Sequence, residues 1–75
     1  MISFVLIGTT PAMEKSVMDE IVKFPCVEYV QFLFGEYDII VKIREQDSYN
    51  VSDFVSNLRS VRGVADTKVL SGINW

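Results

Sequence analysis

The stretch with most to say about chemistry runs Phe34-Gly35-Glu36-Tyr37-Asp38-Ile39-Ile40-Val41-Lys42-Ile43. Asp38 stands inside a run otherwise made of Tyr, Ile and Val, where Asp is disfavoured. A carboxylate at the mouth of a hairpin can receive a ligand ammonium group. The backbone at Gly35, with no side chain to obstruct approach, can meet a ligand carboxylate. Tyr37 would then be a pocket wall. The plainer alternative is that Asp38 bonds the turn backbone and fixes the hairpin, while Tyr37 only packs. The residues alone leave both open.

Elsewhere the search for reactive sets is negative. The chain has no His, which removes His-based acid–base and nucleophilic triads. One Cys without His makes no zinc or copper site of ordinary composition, so no metal is expected. Cys26 follows Pro25 at a helix-to-strand junction and reads as a small buried filler. The four glycines fall at the ends of elements, with no phosphate loop among them. No catalytic residue and no cofactor are expected.

The elements that must hold this stretch can be read from periodicity. Ile2 to Ile7 is an unbroken apolar run, as in a central strand covered on both faces. Thr10 before Pro11 predicts a helix start, with Met13, Val17, Ile21 and Phe24 on one face and Pro25 at the end. Val27–Phe34 and Tyr37–Arg44 read as two strands joined by Gly35-Glu36 in a tight II′ turn. Val51, Phe54, Val55, Leu58 and Val61 mark a second helix, with Asp47 or Ser48 as its cap and Gly63 closing it. Val64 to about Ile73 is the last strand.

The order is therefore βαββαβ. Lys23–Gly35 also aligns without gaps on Ser60–Gly72, so the chain looks like two copies of one βαβ unit. Two such units interleaved give a ferredoxin-like α+β fold: a four-stranded antiparallel sheet with both helices on one face. Residues 1–75 are expected to form one domain.

Composition then points to assembly. A chain of 75 residues that is 49% hydrophobic carries a large apolar load for its size. Such a core supplies only about 3–5 kcal/mol without a staple, and a lone cysteine forms no internal disulfide. Strand alternation puts apolar side chains on both sheet faces: Val27, Tyr29, Leu33, Ile39, Val41 and Ile43 on one, Val30, Phe32, Phe34 and Ile40 on the other. Two helices cover one face. The other would be an exposed patch of roughly several hundred Å2, which monomers seldom tolerate. A homodimer packed sheet on sheet is expected, with Phe32 and Phe34 as candidate contacts if their face is the uncovered one, and Trp75 as a subunit or domain contact. Seven basic against ten acidic residues, scattered, do not make a DNA-binding surface. Met1–Ile7 is too short to span a bilayer, and the free thiol suits a reducing, cytoplasmic setting.

The Gly-x-Tyr-Asp hairpin, with Val27 before it and Gly63-Val64 … Thr67 after it, resembles the RAM domain. That domain is the effector-sensing half of Lrp/AsnC transcriptional regulators, and the resemblance covers essentially the whole chain. It implies pairing through sheets, further association into octamers or decamers, and small amino acid-like effectors bound between dimers. By position it places Gly35, Tyr37, Asp38 and Thr67 in the effector site. Family members often carry a second Thr where Val69 stands here, and Cys26 replaces a commonly seen Gly. The helix-turn-helix half is absent, which is the pattern of a stand-alone RAM protein.

The expected function is a non-enzymatic, oligomeric amino acid sensor that tunes full-length Lrp/AsnC regulators without binding DNA itself. Two rivals stand beside it. One is a small dimeric barrel enzyme of monooxygenase or isomerase type, which would need a polar cavity inside one subunit. The other is a structural assembly module with no ligand, which Val69 favours.

Overall fold

A computed structural model of the chain describes residues 2–44 and 50–71. Its elements are β1 (Ile2–Thr9), α1 (Glu14–Ile21), β2 (Val27–Phe32), β3 (Ile39–Arg44), α2 (Val51–Leu58) and β4 (Val64–Ser71). The strands form one antiparallel sheet in the order β2-β3-β1-β4. This is the ferredoxin-like arrangement.

Register decides which residues face the helices. Val5 pairs with Val41 and Ile7 with Ile39, and all four are fully buried, together with Ile43. Val17 and Ile21 of α1 and Phe54 and Leu58 of α2 complete this core, each pair one helical turn apart. Phe24 meets Phe54 edge to face, with ring centroids 5.3 Å apart.

The internal repeat is visible in the backbone. Glu14 and Val51, Ile21 and Leu58, and Val27 and Val64 begin or end equivalent elements, each thirty-seven residues apart. The helix exits match bond for bond. Phe24 N–H donates to Ile21 at 3.0 Å and Val61 N–H to Leu58 at 3.0 Å; Val27 N–H donates to Phe24 and Val64 N–H to Val61. Even the irregularities repeat. Glu28 is the extra residue in β2 and Ala65 the extra residue in β4, again thirty-seven apart.

Those bulges correct the reading of the faces. A bulge puts two residues opposite one and restarts the alternation. Tyr29 and Gln31 therefore pair with Lys42 and Ile40, while Val30 and Phe32 pair with Val41 and Ile39 on the helix side. Phe32 is not on the uncovered face, and Phe34 lies beyond β2 in the connection to β3. The uncovered face carries Phe4, Leu6, Ile40 and Lys42, with Tyr29 and Leu70 exposed at its flanks. At its edge the Glu28 carboxylate meets Arg44 at 2.8 Å and Lys42 at 3.8 Å.

Three local expectations also change. Helix α1 begins at Glu14 with Met13 as N-cap and no side-chain cap, not at Thr10-Pro11. Thr10 N–H donates instead to Gly63, and Met13 N–H closes a turn on the Thr10 carbonyl. Ala12, at φ 68, sits in the left-handed region within that turn and keeps Pro11 out of the helix. Helix α2 is capped by Asn50, not by Asp47 or Ser48, which lie outside the described residues. Asn50 accepts from Asp53 N–H at 3.0 Å while Asp53 accepts from Asn50 N–H at 3.2 Å, a reciprocal capping box. The connection between β2 and β3 spans Leu33 to Asp38 and is no two-residue turn. It closes through Leu33 N–H on the Asp38 carbonyl at 2.8 Å. Asp38 is drawn towards β1, which opens the loop. Trp75 lies outside the described residues.

Candidate functional site

The C-terminal end of β1 organises the candidate residues. β1 runs between β3 and β4, so its last residues, Ile7 to Thr9, are flanked on one side by Asp38 and on the other by Asp66 and Thr67. Asp38 N–H donates to the Ile7 carbonyl at 2.9 Å. The Asp38 carboxylate then turns back along β1: its Oδ2 accepts Thr9 N–H at 2.7 Å and the Thr9 hydroxyl at 3.1 Å. A side chain here stands in for the strand carbonyl that would otherwise take the Thr9 N–H. The aspartate that looked out of place in a strand thus uses its side chain to tie the third strand to the first, while its backbone carbonyl closes the hairpin on Leu33 N–H.

Tyr37 and Asp66 form the second relationship at this end of the sheet. The Asp66 carboxylate, two strands away in the sheet order, acts electrostatically on the Tyr37 phenol. Partial burial and, after it, the Asp66 and Glu36 carboxylates push the phenol above its ordinary value. It remains a neutral donor at physiological pH.

Gly35 stands on the Leu33–Asp38 connection at φ 132, with no atom within 4 Å of the position a Cβ would take. Its backbone is open to a ligand. Thr67 pairs with Ile7 from the β4 side. It is separated from Asp38 by two strand spacings, roughly 10 Å. The structure therefore gathers Tyr37 and Asp38 closely, leaves Gly35 open beside them, and sets Thr67 on the far flank of β1. Thr67 lines an open cleft of about 250 Å3 together with Arg59, Val64, Ala65 and Asp66.

Thr9, Asp66 and Arg59 are functional candidates that sequence reasoning missed. The Thr9–Asp38 contact joins residues 29 apart in the chain, and no local pattern announces it. Asp66 stood next to a residue already singled out, which was the one available signal. Cys26 is buried, and that burial raises its thiol above the ordinary value. Among the described residues no group of three or more His, Cys, Asp or Glu side chains is placed to hold a metal ion. No helix among them is long and apolar enough to cross a membrane.

Residues 2–71 match the model of the Lrp/AsnC ligand binding domain. The chain belongs to this family. Among curated proteins, an Lrp/AsnC-type relative is the HTH-type transcriptional regulator FL11 of Pyrococcus furiosus. It is 30% identical over 69 residues, which cover 92% of this chain and 46% of the regulator. The chain thus spans about half the length of that relative. Among solved structures, a Thermus thermophilus protein superposes with a TM-score of 0.90 at 27% identity, covering 99% of this chain and 94% of the other. A Neisseria meningitidis transcriptional regulator solved as an L-Met complex superposes with a TM-score of 0.82 at 24% identity, covering 97% of this chain and 49% of the regulator. At that identity the likeness is one of fold. Within the Lrp/AsnC fold, the Gly35–Asp38 connection and Thr67 occupy the two flanks of one strand end.

Proposed function

We propose that this chain is a non-enzymatic amino acid sensor that works as an assembly and tunes full-length Lrp/AsnC regulators without binding DNA by itself. The observation that carries the reading is the use of the Asp38 carboxylate. Oδ2 takes both bonds from Thr9, which leaves Oδ1 to receive a ligand ammonium beside the open backbone of Gly35 and the Tyr37 ring. Thr67 of a neighbouring copy closes the site. Family membership supports a ligand, and the L-Met complex of the Neisseria regulator supports an amino acid.

Assembly follows from the uncovered face. Phe4, Leu6 and Ile40 form an apolar strip with no helix over it, extended by Tyr29 and Leu70. A second copy laid sheet against sheet removes this strip from water at about 25 cal/mol per Å2. Dimers then associate further into octamers or decamers. The buried thiol fits a reducing, cytoplasmic setting.

Thermal unfolding against the common amino acids tests the reading. A ligand that binds the folded state raises the midpoint progressively with its concentration. At least one amino acid should do so, and the protein should leave duplex DNA unshifted at moderate salt. No stabilisation by any amino acid, or a DNA shift by the protein alone, would refute the corresponding part.

A further inference from the structure

Two exposed features of opposite charge flank the same end of β1. One is the tip of the β2–β3 connection, Phe34-Gly35-Glu36, in which Phe34 is fully exposed, Glu36 is exposed and nothing lies within 4 Å of a Cβ at Gly35. The other is the end of α2, where the C-cap Arg59 lines the open cleft of about 250 Å3 with Val64, Ala65 and Thr67. Arg62, also exposed, follows in the connection to β4. Ion pairs among the described residues join Lys15, Lys23, Lys42 and Arg44 to Asp19, Glu20 and Glu28. Glu36, Arg59 and Arg62 stay outside them. Within one copy the two features do not meet, because β1 stands between the loop and β4. Thr67 pairs with the buried Ile7 and so shares the helix side of the sheet with Arg59. Asp66, opposite Gly8, faces the other side and does not compete for the guanidinium.

We propose that the Phe34–Glu36 tip of one copy docks head to tail on the α2–β4 cleft of the next copy. The Glu36 carboxylate meets the Arg59 guanidinium, whose planar fork of donors matches it. Arg62 adds positive charge on the same side. Phe34 is the aromatic anchor, a residue type enriched at interfaces, and it rests against Val64 and Ala65. The two patches differ, so the contact is heterologous and, repeated, closes a ring. A sheet-on-sheet contact is self-complementary and stops at two copies, so anything larger needs a second surface. The proposal rests on the assembly read above and supplies that surface. Docking also brings Thr67 of one copy to the Tyr37-Asp38 loop of the other, since Glu36 and Arg59 adjoin them.

Sedimentation of the full chain without added amino acid, at low and high salt, tests this with Glu36→Arg, Arg59→Glu and the double variant. The wild type should sediment as rings that fall back towards dimers as salt rises, since exposed charges are screened. Each single reversal sets like charges together and should raise the concentration needed for rings at least about tenfold, leaving dimers. The double variant restores opposite charges and should recover the rings, which a misfolded or bystander variant would not do. Rings unaffected by either reversal, a double variant no better than the singles, or a wild type that never exceeds a dimer would overturn the contact. Failure of the sensor reading looks different. Rings that respond to the reversals while no amino acid raises the unfolding midpoint support the contact and remove the sensor. A dimer that amino acids stabilise does the reverse.

Discussion

The carboxylate of Asp38 accepts the backbone N–H of Thr9 at 2.7 Å and its hydroxyl at 3.1 Å, binding the third strand to the end of the first. One residue therefore has a structural duty through Oδ2 and, in the proposed sensor, a second duty towards the ligand through Oδ1. Replacement by Ala removes both duties. Asp38→Ala should lower unfolding free energy by about 1–3 kcal/mol, the range for bonds to a charged group. Asp38→Asn keeps an acceptor for Thr9 and should cost less than about 1 kcal/mol. Urea unfolding of the two variants separates the structural duty from the charge.

Ala12 holds a conformation that suits glycine. The Thr10–Met13 turn has Pro11 at its second position and Ala12, at φ 68, at its third. That is type II geometry, and it wants Gly or Asn there. An L-residue in the left-handed region costs about 1–2 kcal/mol, offset in part by the greater chain entropy of glycine. Ala12→Gly should raise stability by about 0.5–1 kcal/mol. A lower midpoint in denaturant would contradict this.

Gly63 presents the opposite case. At φ 100, a Cβ there would lie 2.8 Å from Met13 Cβ and 2.9 Å from Val17 Cγ2. Gly63→Ala should destabilise by about 1–3 kcal/mol through strain and overpacking. Its repeat partner Cys26 has no positive φ, so Cys26→Ala should be far milder.

Repeat symmetry explains how much of the fold could be read in advance. The equal spacing of Val17 and Ile21 with Phe54 and Leu58 gave both helices, and the apolar strands gave the βαββαβ order. What failed was local. Counting alternation from Val27 carried Tyr29 to the wrong face, because Glu28 is bulged and nothing in its type says so. The cap of α2 sits at Asn50, where Asn and Asp53 satisfy each other; the polar run before it masked that pair. At the site, Asp38 was legible as an unusual residue in a strand, and Tyr37 as its neighbour. Their partners Thr9 and Asp66 were not, since topology alone brings them together.

Cys26 supplies a pH-dependent check. Burial raises its thiol in the folded state, so the fold holds that proton more tightly than the unfolded chain. Stability is therefore lost as pH rises from the unfolded thiol value, about 8.5, through the higher folded one. Alkylation near pH 8 should be slow in the native protein and fast in denaturant. Equal rates would mean that the thiol is not shielded.

The uncovered face can be tested by charge. Ile40 pairs with Leu6 at the middle of the apolar strip. Ile40→Glu sets carboxylates against each other across a sheet-on-sheet contact, where unpaired buried charge is costly. Light scattering should show the wild type as a dimer or larger and the variant as a smaller species. A monomeric wild type would remove the assembly argument.

Titration calorimetry of the amino acid that most raises the unfolding midpoint, against wild type and Asp38→Asn, tests the sensor account most directly. We expect saturable heat with the wild type and an affinity at least about tenfold weaker in the variant, as for loss of a charge-assisted bond. Equal affinity in a folded Asp38→Asn protein would contradict the account.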